Sequence, residues 1–173
     1  DGTDLTWAAA SGGGGITAAS QWRLTADATG AQDPIDANWE AVDTGNQGVL
    51  GSSMTESSGV FTFPETGIWY IDFTAYFSVS SQACSWAQTK IKTTVDSPTN
   101  TWVGIGETTV TLGDSSSSYV TRESPFSNYL FDVTNTTTHK CSFTADVAHA
   151  TALVNGSTVG NVTWVTFIRL GDT

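Results

Sequence analysis

The chain has 173 residues, of which 39% are hydrophobic and 11% aromatic, so it is long enough to fold as one domain around a sizeable core. Seventeen acidic residues against six basic ones give a net charge of −11. This balance argues against nucleic acid or an anionic membrane as a partner, because both need clustered Lys and Arg, and the absence of a long apolar run argues against membrane insertion.

The first 15 residues differ in composition from the rest. They end in four consecutive glycines, which are typical of a flexible linker. We therefore predict that residues 1–15 are a linker or the stub of a stalk, and that residues 16–173 form a single domain. Trp7 is either a residue that docks on something upstream or part of a disordered stub.

The remainder reads as short strands separated by turn signals rich in Gly, Asn, Asp and Pro. The predicted strands are 21–26, 39–42, 53–63, 67–79, 84–95, 102–112, 118–133, 139–153 and 162–170. Strong helix formers are scarce, and strands at this spacing without a helical period predict an all-β sandwich or barrel.

Oxygen-bearing side chains cluster in one loop-like segment that extends into the start of the second predicted strand. They are Asp33, Asp36, Asn38 and Glu40. Oxygen ligands suit calcium, but the spacing does not fit a helix-loop-helix calcium loop, because Ala41 and Gln47 stand where Gly and Glu are required. The segment is either a solvated acidic loop or a weak calcium site, and we predict no cofactor.

Three predicted strands are apolar on both faces, and one of them is 118–133, with Tyr129, Leu130, Phe131 and Val133. In strand 67–79 one face carries Trp69, Ile71, Phe73, Ala75, Phe77 and Val79, and the other carries Ile68, Tyr70 and Tyr76 beside Asp72. The last strand has Val162, Trp164, Ile168 and Leu170 on one face, with Val165 and Phe167 on the other. Such strands pack on both sides, against the domain's own core and against a neighbouring subunit.

We therefore predict an oligomer with subunit contacts from Tyr70, Tyr76, Val165 and Phe167. The alternative is a single sandwich whose loops cover the second apolar face. Phe167→Asp is expected to give monomers or aggregates if this assignment is right.

The remaining chemistry favours binding over catalysis. No Gly-x-Ser-x-Gly motif accompanies His139 and His149, so we predict that the protein is not an enzyme. Partly exposed aromatic side chains stack on sugars, and Trp39, Trp86 and Trp102 are either such a ligand platform or core residues. The two cysteines, Cys84 and Cys141, are either buried thiols or one disulfide.

A known family resembles part of this pattern. The block Phe-Thr-Phe-Pro-Glu-Thr-Gly-Ile-Trp-Tyr at 61–70 and the ending Thr-Phe-Ile-Arg-Leu-Gly at 166–171 resemble the complement C-one-q and tumour necrosis factor superfamily. Gly67, Tyr70 and Phe73 match the family's Gly-x-Tyr-x-Phe element at a wider spacing. The resemblance implies a two-sheet jelly-roll sandwich that assembles as a homotrimer, with the strands that hold Cys84 and Cys141 next to each other.

The two ends carry a narrower resemblance. Asp-Gly-Thr-Asp-Leu-Thr-Trp-Ala at the start, the Gly run and the final Thr-Phe-Ile-Arg-Leu-Gly-Asp-Thr resemble virion structural proteins of marine bacteriophages. This implies a trimeric binding head of a fibre, tail or capsid appendage, located on the virion, with other virion proteins and a host-surface glycan or receptor as partners. The alternatives are a lectin-like carbohydrate-binding module of a secreted bacterial protein and, less favoured, a polysaccharide-cleaving enzyme that uses two carboxylates.

Overall fold

The computed structural model describes residues 15–80, 82–114 and 119–173, so most of the predicted linker, with Trp7, lies outside the described residues. The described residues form sixteen strands and no helix. The strands are β1 (Ala19–Leu24), β2 (Ala28–Thr29), β3 (Trp39–Ala41), β4 (Thr55–Ser57), β5 (Val60–Thr62), β6 (Gly67–Thr74), β7 (Phe77–Ser80), β8 (Ala83–Cys84), β9 (Ala87–Thr94), β10 (Val103–Val110), β11 (Gly113–Asp114), β12 (Val120–Glu123), β13 (Phe126–Val133), β14 (Lys140–Val147), β15 (Leu153–Val154) and β16 (Trp164–Gly171).

Two five-stranded antiparallel sheets form the body of the domain. Sheet I has the strand order β13-β6-β16-β1-β3, and sheet II has the order β10-β9-β14-β5-β4. A four-stranded sheet, β12-β7-β15-β2, and the β11-β8 pair extend the structure at one end. The chain crosses between the sheets several times, and the apolar inner faces of sheets I and II enclose one core. The predicted all-β sandwich is confirmed.

Aromatic side chains from both sheets fill the centre of this core. Phe61 and Phe143 of sheet II lie 5.2 Å apart between ring centroids, and Phe73 of sheet I lies 4.9 Å from Phe143. Phe167 packs 5.4 Å from Phe61, and Trp39 also packs 5.4 Å from Phe61. These tilted and edge-on contacts are the arrangements that aromatic rings favour.

This core corrects three predicted site residues. The side chains of Val165 and Phe167 are fully buried between the sheets, so their assignment to a subunit contact is wrong. Trp39 is 9% exposed and its indole nitrogen donates to the carbonyl oxygen of Ile35 at 2.9 Å, so it is a core residue and not a sugar platform. Phe167→Asp would therefore unfold the subunit by burying a charge, whatever its effect on assembly.

Several predicted strands are each two strands in the structure. The chain turns at Ser58 and Gly59, both with positive φ, so 53–63 is the β4–β5 hairpin. The stretch 67–79 divides into β6 and β7, which belong to different sheets, and Pro125 separates β12 from β13. The first break is a turn within sheet II, whereas the other two let the chain leave one sheet and enter another.

The cysteines are too far apart to form a bridge. Strands β9 and β14 are hydrogen-bonded neighbours, but Cys84 lies outside β9 in β8, which pairs with β11. Cys141 lies opposite Thr93, whereas Cys84 precedes Ala87, at the other end of β9. The six positions from Ala87 to Thr93 span about 20 Å, and a disulfide needs Cα atoms within about 7 Å. Both cysteines are free and buried, so the disulfide alternative is wrong.

Candidate functional site

The outward face of sheet I, turned away from the core, carries an apolar row across four strands. Leu130 of β13 pairs with Tyr70 of β6, Tyr70 pairs with Ile168 of β16, and Ile168 pairs with Ala19 of β1. Leu50 continues the row through an isolated bridge to Ala19. Leu130 is 55% exposed and Leu50 is 50% exposed, and the residues between them are half-buried, so the row is an apolar strip that is partly exposed along its length. We call it the apolar row.

The next residues toward the β6 C-terminus form a polar row on the same face. Asn128, Asp72, Thr166 and Gln21 pair in register across β13, β6, β16 and β1. The Gln21 amide donates to Thr166 Oγ1 at 2.9 Å, and Asn161 donates to Gln21 at 3.2 Å. Asp72 is the only carboxylate in this polar row.

A third row lies beyond the polar row on the same face and contains a buried arginine. Phe126, which is 58% exposed, pairs with Thr74, and Trp164 pairs with Arg23. Arg23 is 1% exposed; its guanidinium donates to Glu40 at 2.6 Å, to Asp43 at 3.0 Å and to Thr44 at 2.8 Å. These acceptors come from β3 and the segment after it, so they pin that segment over the edge of the sheet.

Partial burial alters the titration of two groups on the face. Burial raises the pKa of Asp72 above its ordinary value, because the charged carboxylate is less well solvated than in water. Burial also raises the pKa of the Tyr70 phenol, and the negative charge of Asp72 adds to that rise. The face therefore makes the ionised form of each side chain less favourable than it is in water.

A shallow depression of about 250 Å³ lies at the β1 end of the apolar row. It is lined by Ala19, Ser20, Gln21, Gly48, Leu50, Thr166 and Ile168. Its walls combine aliphatic carbons with amide and hydroxyl groups, and it is wide enough to take one side chain of a second molecule.

The predicted contact and platform residues are not brought together. Tyr70 lies in the apolar row, whereas Tyr76 follows the end of β6 and precedes β7. The partly exposed Trp86 and Trp102 precede opposite ends of the antiparallel β9–β10 pair, so they do not form one platform. Sequence reasoning missed Leu50, whose only signal was an apolar pair, Val49 and Leu50, between two glycines.

The oxygen-bearing residues of the segment that leads into β3 bind to separate partners. Asp33 pairs with Lys92 and accepts a hydrogen bond from Thr144 at 2.9 Å, while Glu40 pairs with Arg23. Within the described ranges, no three His, Cys, Asp or Glu side chains are placed to hold a metal ion. The structure does not assemble the acidic cluster that the sequence suggested.

Both histidine rings contact residues of the turns in which they lie. The His139 ring stacks on Phe131 with a centroid distance of 5.6 Å and contacts the hydroxyls of Thr134 and Thr138. His149 contacts Thr151 in the turn before β15. Both rings therefore stabilise local turns.

In the described part of the chain no helix is long and apolar enough to cross a membrane.

One end of the sandwich, which we call the base, holds both ends of the described chain. Arg169 donates to the Thr66 carbonyl at 2.7 Å, to Thr17 Oγ1 at 3.1 Å and to Asp172 at 2.5 Å. This side chain ties the approach to β1, the turn before β6 and the C-terminal residues together. The loop after β15 lies at the opposite end, which we call the tip, where Ser157 donates to the Leu24 carbonyl at the end of β1.

Comparisons with known proteins give fold matches only. No protein-family description and no curated protein sequence matches the chain. The crystal structure of murine APRIL at pH 5.0 matches with a TM-score of 0.60 at 10% identity, covering 88% of this chain and 98% of that one. The fold is a tumour necrosis factor-like jelly roll. The structure of Eiger TNF from S. frugiperda matches similarly, with a TM-score of 0.59 at 8% identity, covering 92% and 95%.

The predicted two-sheet jelly-roll sandwich is thus confirmed, and at these identities the likeness concerns the fold alone. The same family resemblance is carried in the sequence by the blocks around Gly67 and Arg169. Each block contains residues that meet at the base, where Gly67 lies against Gly171 and Arg169. The recognisable sequence therefore marks the closure of sheet I and does not identify a ligand site.

Proposed function

We propose that this protein is a homotrimeric binding head, assembled through the outward face of sheet I. The observation that carries the proposal is the apolar row, which runs unbroken from Leu130 to Leu50 and is partly exposed to solvent in a single subunit. Soluble proteins rarely expose a contiguous apolar strip unless it binds something. The family resemblance implies a homotrimer, in which three copies would cover this face mutually.

We further propose that the head belongs to a bacteriophage virion, as part of a fibre, tail or capsid appendage, and attaches to a host-surface glycan or receptor. The resemblance of both chain ends to marine phage structural proteins supports this role. Both ends of the described part of the chain lie at the base, which fits a head carried on a stalk with the tip directed outward. Three weak sites presented together would bind through avidity.

Solution mass tests the assembly. Light scattering behind a sizing column should give about three times the subunit mass of 18.2 kDa, with or without chelator. Leu130→Asp and Tyr70→Ala should each yield folded monomers, because both alter the apolar row. Val95→Asp is the matched control, since Val95 is 58% exposed but follows β9 of sheet II. A wild-type monomer would contradict the trimer.

Attachment is tested with the same variants. The labelled trimer should bind an array of bacterial surface polysaccharides, and the Leu130→Asp monomer should bind at least about 100-fold more weakly, because avidity is lost. Equal binding by monomer and trimer would contradict the avidity mechanism. Absence of binding to every polysaccharide, together with an intact trimer, would contradict glycan attachment and leave a structural role.

A further inference from the structure

Asp72 lies in the middle of the face through which we propose that subunits assemble, so any role of this side chain in assembly rests on that proposed function. It is flanked in register by Asn128 and Thr166, with the apolar row on one side. None of the ion pairs formed by the described residues includes Asp72. A carboxylate with no cation to compensate it would therefore be enclosed when the face is covered.

The groups that face Asp72 from neighbouring strands do not offset its charge. Strand β6 itself contributes the neutral phenol of Tyr70, and β13 contributes Asp132, a further carboxylate at the exposed edge. Strand β16 contributes no titratable group to this face, because its outward residues are Trp164, Thr166, Ile168 and Leu170. Strand β1 contributes Arg23, whose guanidinium is already bound by Glu40 and Asp43.

We propose that assembly through this face is coupled to protonation of Asp72, so that the trimer tightens as the pH falls. Covering the face removes water from the carboxylate, which penalises its charged form. A homotrimer also carries three equivalent carboxylates on its contact faces, and like charges penalise ionisation further. The neutral acid avoids both penalties and can donate a hydrogen bond.

The direction of the pH effect follows from linkage. Burial within one subunit already raises the pKa of Asp72, and assembly extends that burial. A pKa that is higher in the trimer than in the free subunit means that protons bind on assembly. The stabilisation is then fully present below the pKa of the free subunit and is lost as the pH rises through the pKa in the trimer.

Sedimentation equilibrium between about pH 4.5 and about pH 8 measures this coupling, in about 0.5 M NaCl with EDTA so that exposed charges are screened. Each Asp72 that takes up a proton on assembly strengthens the association by up to about tenfold per pH unit. The nearly isosteric variant Asp72→Asn should assemble tightly and independently of pH. Asp132→Asn, at the exposed edge of the same face, is the matched control and should keep the wild-type pH profile.

The outcomes separate this inference from the function on which it rests. A trimer whose pH dependence disappears in Asp72→Asn and persists in Asp132→Asn supports it. A trimer with a flat pH profile, or one whose profile survives in Asp72→Asn, overturns the role of Asp72 and leaves the trimer standing. A wild-type monomer at every pH overturns both. Near-UV circular dichroism of each variant verifies that the subunit itself is folded.

Discussion

Two arginines of sheet I, Arg23 and Arg169, are buried at different positions in the sheet. Arg23 is held by acidic side chains from β3 and the segment after it. Arg169 is held at the base by a backbone carbonyl, a hydroxyl and the Asp172 carboxylate. A buried guanidinium is stable only when its donors are matched by acceptors. Each arginine therefore fixes the position of a segment that has few apolar contacts of its own.

Removing the Arg169 side chain should weaken the base. Arg169→Met should destabilise the protein by about 2–4 kcal/mol, because the Thr66 carbonyl and Thr17 hydroxyl lose a charged donor. Arg169→Lys should recover only part of this loss, since an ammonium cannot reproduce the planar set of donors. Urea unfolding at constant m-value measures the change. A loss below about 0.5 kcal/mol would contradict the assigned role.

The sequence showed which residues of a strand share a face, but it did not show which face of the last strand packs against the core. The sequence correctly predicted that Val165 and Phe167 lie on the opposite face of the last strand from Trp164 and Ile168. It also correctly predicted that the alternating residues that begin at Trp69 share one face, and that face is buried. Because both faces of β16 are apolar, its own pattern did not reveal which face is inside. That choice depends on the register with β6, which sets Phe167 opposite the buried Ile71.

At the scale of elements, the start of β6 depends on a glycine. Gly67 has φ of +142°, and a Cβ there would lie 2.5 Å from the Gly171 carbonyl oxygen and 2.6 Å from Arg169 Nε. The backbone of β6 thus touches the end of β16 where the two strands begin to pair. Only a residue without a side chain permits this approach.

Gly67→Ala should therefore destabilise the protein by about 2–4 kcal/mol, from an unfavourable φ and an overlap with backbone. Gly113→Ala is the matched control, because Gly113 also has positive φ, +70°, but has open space around its Cβ position. It should cost only about 1–2 kcal/mol. Thermal unfolding of both variants gives the comparison, and equal losses would show that contact with Gly171 is unimportant.

The boundaries of elements were predictable only where the chain itself marks them. Strand β3 and the last strand were placed to within two residues, since turn residues flank them. The division of 67–79 at Ala75 and Tyr76 has no Gly or Pro to signal it. It arises because the Tyr76 backbone bonds to Thr163 and Asn155, which redirects the chain into another sheet. Such long-range bonds are invisible in local sequence.

For the whole molecule, charge opposes the assembly that the apolar row favours. Each subunit carries a net charge of −11, and a trimer carries three times that charge in a small volume. Asp72 and Asp132 add negative charge on the proposed contact face itself. The repulsion acts at long range through solvent, whereas the apolar contact acts only when the faces meet.

Salt should therefore strengthen the trimer at about pH 8, where the carboxylates are ionised. The dissociation constant from sedimentation equilibrium should fall between about 0.05 M and about 0.5 M NaCl and then level off, because the Debye length shrinks below the spacing of the charges. Asp132→Asn should reduce this salt dependence, since it removes one charge per subunit from the face. An affinity that weakens with salt would mean that ion pairs hold the subunits together and that apolar burial does not.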